Sequence, residues 1–138
     1  MPMPGSLRRA RRRSPERGLR ILVVDDEEQL RSSVARLLEH AGYGVVTCAG
    51  ADDALALLAA DGGAFAMVVT DVEMPGTMDG LGLASRIAEI GPELPVIVLA
   101  SDPGLDEVAR TIPSVVRVVA KREATRVLLG HVRAVLGA

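Results

Sequence analysis

The sequence predicts an α/β fold, built on a doubly wound, five-stranded parallel sheet. Three observations carry this. The most apolar runs, Ile21-Leu22-Val23-Val24, Phe65-Ala66-Met67-Val68-Val69 and Val96-Ile97-Val98-Leu99, show no polar alternation, as expected of strands buried on both faces. Stretches with apolar residues at helical spacing separate them. Each run also stops abruptly at polar groups, at Asp25-Asp26, Asp71 and Ser101.

The elements follow in order. Arg20 to Val24 is the first strand. A helix comes next, with Leu30, Val34, Leu37, Leu38 and Ala41 on one stripe. Glu27 and Glu28 fall in its first turn, where the helix dipole favours acids, and Gly42 is its stop. Gly44 to Ala49 is the second strand. Asp52 to Ala60 is the second helix, capped by Asp52-Asp53 and ended by Gly62-Gly63. The third strand runs from Phe65 to Thr70 and ends at Asp71. After a loop from Val72 to Asp79, a third helix starts near Gly80, with Leu83, Ile87 and Ile90 inward. Pro92 and Pro95 bracket the turn into the fourth strand, Val96 to Ala100. A short fourth helix lies between Pro103 and Pro113. The fifth strand, Val115 to Ala120, ends at Lys121, and the last helix covers Glu123 to Leu136. Strand and helix alternate throughout, which demands right-handed crossovers.

Composition narrows the function classes. With 138 residues, 49% hydrophobic and 25% charged, the chain fits one domain with a sizeable core. Tyr43 and Phe65 are its only aromatics, which excludes stacking platforms for single-stranded nucleic acid. One cysteine, Cys48, excludes an intrachain disulfide and a multi-cysteine zinc site. It reads as a small core hydrophobe, and Met67 and Met74 as packing residues. His40 and His131 have no metal-spaced partner and read as surface or boundary residues. No run approaches the roughly 18 apolar residues of a membrane span or the about 7 of a secretory core. A soluble, cytoplasmic protein is expected.

Charge is uneven. Residues 1–20 hold seven Arg and one Glu, a net of +6, whereas residues 21–138 hold nine basic and seventeen acidic residues, a net of −8. The expected organisation is a disordered basic tail, residues 1–19, and one folded domain, residues 20–138. The tail reads as a solvated extension rather than a nucleic-acid arm, because no helix-turn-helix pattern accompanies it.

In a doubly wound sheet, ligands sit outside the carboxyl ends of the strands. Asp25, Asp26, Asp71, Ser101 and Lys121 all occupy such ends. If the first and third strands are neighbours, about 4.8 Å apart, three carboxylates crowd together. Two like charges 4 Å apart repel by about 4 kcal/mol at an effective dielectric near 20. A divalent cation and the lysine are the remedies. Magnesium (Mg²⁺) suits such oxygens, typically taking one or two carboxylates plus a phosphate. A carboxylate beside a metal, a hydroxyl and an ammonium is a phosphoryl-accepting arrangement. Lys121 is also the only lysine among sixteen basic residues, and a compact point donor suits a crowded oxygen cluster better than a guanidinium does.

These residues resemble the receiver domain of two-component response regulators, in stand-alone form like the chemotaxis regulator. The strongest pieces are Ile21-Leu22-Val23-Val24-Asp25-Asp26-Glu27, Val68-Val69-Thr70-Asp71-Val72-Glu73-Met74-Pro75-Gly76 and Met78-Asp79-Gly80-Leu81, and the resemblance covers residues 20–137. It implies a flavodoxin-like three-layer sandwich with sheet order 2-1-3-4-5. It implies that Asp71 accepts a phosphoryl group from a phosphohistidine on a sensor histidine kinase or a histidine phosphotransfer protein. It implies Mg²⁺ held by Asp26, Asp71 and the backbone carbonyl of Glu73, with Asp25 helping through water. Ser101 and Lys121 would bind the phosphoryl oxygens. Four positions depart from the pattern. Arg122 follows the lysine where the family usually has Pro, so a different loop is expected there. Val118 stands where an aromatic often swings inward. Asp102 adds charge beside the site, and Glu73 adds another acid at its rim.

Three functions compete. A phosphorylated stand-alone receiver would signal through protein contacts to an unknown target, on the face of the fourth helix, fifth strand and fifth helix, in a chain that ends after that helix. A degenerate receiver would bind partners without regard to phosphate; Arg122, Asp102 and Val118 motivate it. An aspartate-based phosphatase would use Asp71-Val72-Glu73 as paired acids, but those sit on the third strand without a cap domain. No separate substrate turnover is therefore expected.

Overall fold

The computed structural model describes residues 18–137. Except for Gly18 and Leu19, the expected basic tail lies outside them. Five strands, β1 (Arg20–Val24), β2 (Gly44–Cys48), β3 (Met67–Asp71), β4 (Val96–Ala100) and β5 (Val115–Ala120), form one sheet in the order β2-β1-β3-β4-β5. All its pairings are parallel. Between and after the strands lie α1 (Glu28–His40), α2 (Ala51–Asp61), α3 (Gly80–Ile90), α4 (Asp106–Arg110) and α5 (Ala124–Leu136). The doubly wound parallel fold is as the sequence predicts, and the 2-1-3-4-5 order is the one the resemblance implies.

Two cores sit on the two sheet faces, as a period of two along buried strands requires. Leu22, Val24, Val68, Val96 and Val98 pack with Ala54 and Leu58 of α2 and Leu83 and Ile87 of α3. Ile21, Val23, Met67, Val69, Ile97 and Leu99 pack with Val34 and Leu38 of α1 and Leu128 and Val132 of α5. β3 and β4 are buried along their whole length, which is why their sequences are continuous apolar runs. Gly42, at φ 107°, ends α1, and the following Tyr43 N–H donates to the Leu38 carbonyl at 3.1 Å, a glycine stop in the left-handed region.

Several boundaries differ from expectation. β3 begins at Met67 rather than Phe65, because the 3₁₀ turn Gly62–Ala64 occupies the approach; Phe65 is nonetheless buried, with Arg20 over its ring at 5.3 Å. Asp52 and Asp53 lie within the first turn of α2, not ahead of it. They favour that helix through its dipole rather than by capping. Glu27 is the residue preceding α1 and makes no side-chain cap there. The fourth helix is a 3₁₀ turn, Pro103–Leu105, followed by the single turn of α4. α5 begins at Ala124 because Lys121–Glu123 forms a 3₁₀ turn, and the Lys121–Arg122 peptide is trans. Cys48 is half-buried; its thiol is pushed up to about 11, first by burial. His40 is exposed and His131 half-buried, as expected of surface and boundary positions.

Candidate functional site

Strand register brings the predicted residues to one rim. Val24 pairs with Thr70, so Asp25 and Asp71 are neighbours at the ends of β1 and β3. Ala100 pairs with Ala120, so Ser101 and Lys121 leave adjacent strands together. One carboxylate oxygen from each of Asp25, Asp26 and Asp71 lies within 4.8 Å of the others. Asp25 is 1% exposed and Asp71 0%; Asp26 faces solvent.

Lys121 answers part of this charge. Its Nζ donates to Asp71 Oδ2 at 2.7 Å and lies 3.5 Å from Glu27 Oε1. Burial alone would lower its pKa, but the hydrogen bond to Asp71 and the charges of Asp71, Asp25 and Glu27 outweigh burial and raise it. The ammonium therefore stays charged at neutrality. Burial raises the pKa of Asp71, against the pull of Lys121. Burial also raises Asp25, and the charges of Asp71 and Asp26 push the same way. One cation does not balance three acids, and the carboxylates remain costly to ionise.

The remaining contacts fix the geometry. Asp25 Oδ1 accepts from the Glu27 N–H at 2.9 Å, and Arg31 Nη1 donates to the Asp25 carbonyl at 2.8 Å. Asp25 Oδ2 is buried without a hydrogen-bond partner. An orphaned buried carboxylate oxygen costs about 1–3 kcal/mol or more, and beside two other carboxylates it suits a hard divalent cation. Asp25, Asp26 and Asp71 thus fit Mg²⁺ in donor type and spacing. The Glu73 N–H approaches Asp71 Oδ1 at 3.4 Å.

Sequence reasoning brought Asp25, Asp26, Asp71 and Lys121 together correctly. Ser101 does sit at the end of its strand, but its Oγ donates to Glu73 Oε1 at 3.1 Å rather than to Asp71. Three contributors were missed in role. Glu27, expected only as a dipole acid, shares Lys121 with Asp71. Arg31, one helical turn into α1, braces the β1 terminus. Gly80 is expected only as a helix start after Asp79, whose Oδ1 does cap α3 by accepting from the Gly82 N–H at 2.8 Å.

Gly80 does more than start α3. Its N–H donates to the Val72 carbonyl at 2.8 Å, and a Cβ there would collide with the Asp71 carbonyl oxygen and crowd the Val72 Cα at 2.9 Å. Those neighbours are backbone atoms and cannot swing aside. Gly80→Ala is expected to cost about 3 kcal/mol, the upper end of overpacking penalties. Urea denaturation should show the midpoint falling at unchanged slope.

A family model described as response regulator receiver domain matches residues 21–133. The C4-dicarboxylate transport transcriptional regulatory protein DctD of Rhizobium meliloti is 42% identical over 80 residues, covering 57% of this chain and 16% of that protein. The response regulator MprA of Mycolicibacterium vanbaalenii is 38% identical over 89 residues, covering 64% of this chain and 37% of that protein. The chain thus spans well under half the length of these curated relatives. Among solved structures, the response regulator TrrA of Thermotoga maritima, in complex with Mg²⁺ and a beryllium fluoride, is 26% identical with a TM-score of 0.75, covering 84% of this chain and 97% of that one.

Proposed function

This chain belongs to the response regulator receiver family, and from that premise we propose that it accepts a phosphoryl group on Asp71 in a Mg²⁺-dependent phosphorelay and signals by protein contacts. The observation that carries this is the Lys121–Asp71 bond of 2.7 Å inside a rim of three carboxylates. The donor is a phosphohistidine on a sensor histidine kinase or a histidine phosphotransfer protein. An Asp71 carboxylate oxygen attacks phosphorus, the P–N bond breaks, and its electron pair leaves with the imidazole. An acyl phosphate remains on Asp71.

Each residue has a role in that transfer. Asp25, Asp26, Asp71 and the carbonyl of Glu73 would hold Mg²⁺, which when bound neutralises charge on the phosphoryl oxygens. Lys121 is poised beside Asp71 and needs only a small shift to pair with a phosphoryl oxygen, so its charge is organised before the reaction. Ser101 donates its hydroxyl proton to another phosphoryl oxygen. Gly80 lets the loop after β3 close against the Asp71 backbone. The protein is not an enzyme with separate substrate turnover, because the acyl phosphate forms on the chain itself.

Output passes through an exposed face. Val108 on α4 is 52% exposed and Val116 on β5 38% exposed, and such surface apolar groups support a docking face for a downstream protein. No described helix is long and apolar enough to cross a membrane. A second reading, a phosphate-independent interaction module, draws on Val118 and on the Ser101–Glu73 bond, which occupies the hydroxyl a phosphoryl group would need.

Incubation of the full chain with a small acyl-phosphate donor tests the first reading. With Mg²⁺, intact mass spectrometry should show one added phosphoryl group, and peptide mapping should place it on the segment containing Asp71. With the metal chelated, the adduct should disappear. An unmodified chain under all conditions would sink the assignment in favour of the second reading.

A further inference from the structure

We infer that Glu73 is a positioning residue that sequesters the Ser101 hydroxyl, so that an incoming phosphoryl group must compete with a carboxylate already built into the site. The inference rests on Asp71 being the phosphoacceptor. Ser101 Oγ donates to Glu73 Oε1 at 3.1 Å, across 28 positions of sequence, joining the loops that follow β3 and β4. A hydroxyl has one proton and donates it to one acceptor at a time. While Glu73 holds that proton, no phosphoryl oxygen can receive it.

Glu73 is tied to the reacting group by its own backbone. Its N–H approaches Asp71 Oδ1 at 3.4 Å, so its side chain rises from the lip of the phosphoacceptor. Among the described residues no cation forms an ion pair with Glu73, because Lys121 is divided between Asp71 and Glu27. An unneutralised carboxylate thus stands where a phosphoryl group on Asp71 would bring further negative charge. Glu73 opposes the phosphorylated state twice, by occupying Ser101 and by repulsion. Both residues face solvent, which keeps each effect modest.

Calorimetry with beryllofluoride at saturating Mg²⁺ tests this on the full chain, since Glu73 variants leave the backbone carbonyl in place. Glu73→Ala should bind about tenfold tighter than wild type, a change equivalent to about 1.4 kcal/mol. Glu73→Gln removes the charge but keeps an oxygen that Ser101 can bond, so its gain should be only about threefold, the scale of an exposed charge interaction. In a Ser101→Ala background, Glu73→Ala should gain only that same smaller factor. Equal gains in both backgrounds, or no gain with Ser101 present, would overturn the sequestration. If neither wild type nor Glu73→Ala binds beryllofluoride, the phosphoacceptor assignment fails instead. The ¹³Cβ resonance of Ser101 in the unliganded protein then decides the contact on its own: it should move in Glu73→Ala and stay nearly fixed in Glu73→Gln, and a resonance unmoved in Glu73→Ala overturns the inference.

Discussion

Replacing Asp71 with Asn should abolish beryllofluoride binding at saturating Mg²⁺, a loss beyond about 100-fold, or about 2.7 kcal/mol. The substitution keeps the volume of the side chain and its place at the end of a fully buried strand, so the fold is retained. What it removes is chemical. A carboxylate oxygen can bind beryllium or attack phosphorus; an amide nitrogen has no available lone pair for either. One of the three oxygens of the acidic cluster also becomes a weaker ligand, so the metal is held less well. Lys121 loses its 2.7 Å partner but keeps Glu27 and some solvent access, which limits the structural cost. Asp26 supplies the sharp control. It faces solvent and sits in the same cluster, so binding that persists in Asp71→Asn would identify it as the acceptor. Titration calorimetry of Asp71→Asn and Asp26→Asn, with circular dichroism to verify folding, separates the outcomes.

How much of this was legible in the sequence depends on distance along the chain. β1, β4 and β5 could be bounded to the residue because each is dominated by β-branched or aliphatic residues and is stopped by a polar group. β3 could not be: Phe65 and Ala66 continue its apolar run, but the 3₁₀ turn before them sets the backbone so that Ala66 contributes one N–H to Arg20 before regular pairing begins. The carboxylates and Lys121 were legible because a parallel sheet delivers strand ends to one rim whatever the loops do. Side chains on those loops were not. Whether Ser101 turns toward Asp71 or Glu73 depends on rotamers in two separate connections. Glu27 could equally have served the helix dipole or Lys121, and the absence of a side-chain cap left it free to reach across. Gly80 looked like one more helix-start glycine until the backbone of Asp71 was seen against its Cα.

Lys121→Met should be the most destabilising change at the rim, and its cost should depend on pH. The stem of Met fills the space of the lysine chain, so what is lost is the ammonium. Asp71 is fully buried and the lysine side chain only 18% exposed. Removing one partner of such a pair costs about 3–5 kcal/mol at neutral pH, with the lower figure favoured here because Lys121 keeps some contact with water. The sign follows from proton binding. Burial already raises the carboxyl of Asp71 above its ordinary 3.8, so the folded chain binds its proton more tightly than the unfolded chain. Stability therefore falls as pH climbs through that raised value. Without Lys121 the carboxyl rises further and the fall extends to higher pH. Toward acid pH, as Asp71 takes up its proton in the folded chain, the difference between wild type and variant should shrink. The gap should open toward neutrality. It should narrow again as pH climbs from the ordinary lysine value of 10.5 through the raised value of the folded wild type, because the unfolded chain gives up that proton first. Urea titrations between pH 4 and 7, with a chelator present so that no divalent cation substitutes for the lysine, measure the opening of the gap directly. A difference that stays constant from pH 4 to 7 would mean that Lys121 contributes packing rather than charge. In that case the acids must be balanced by something other than this single ammonium.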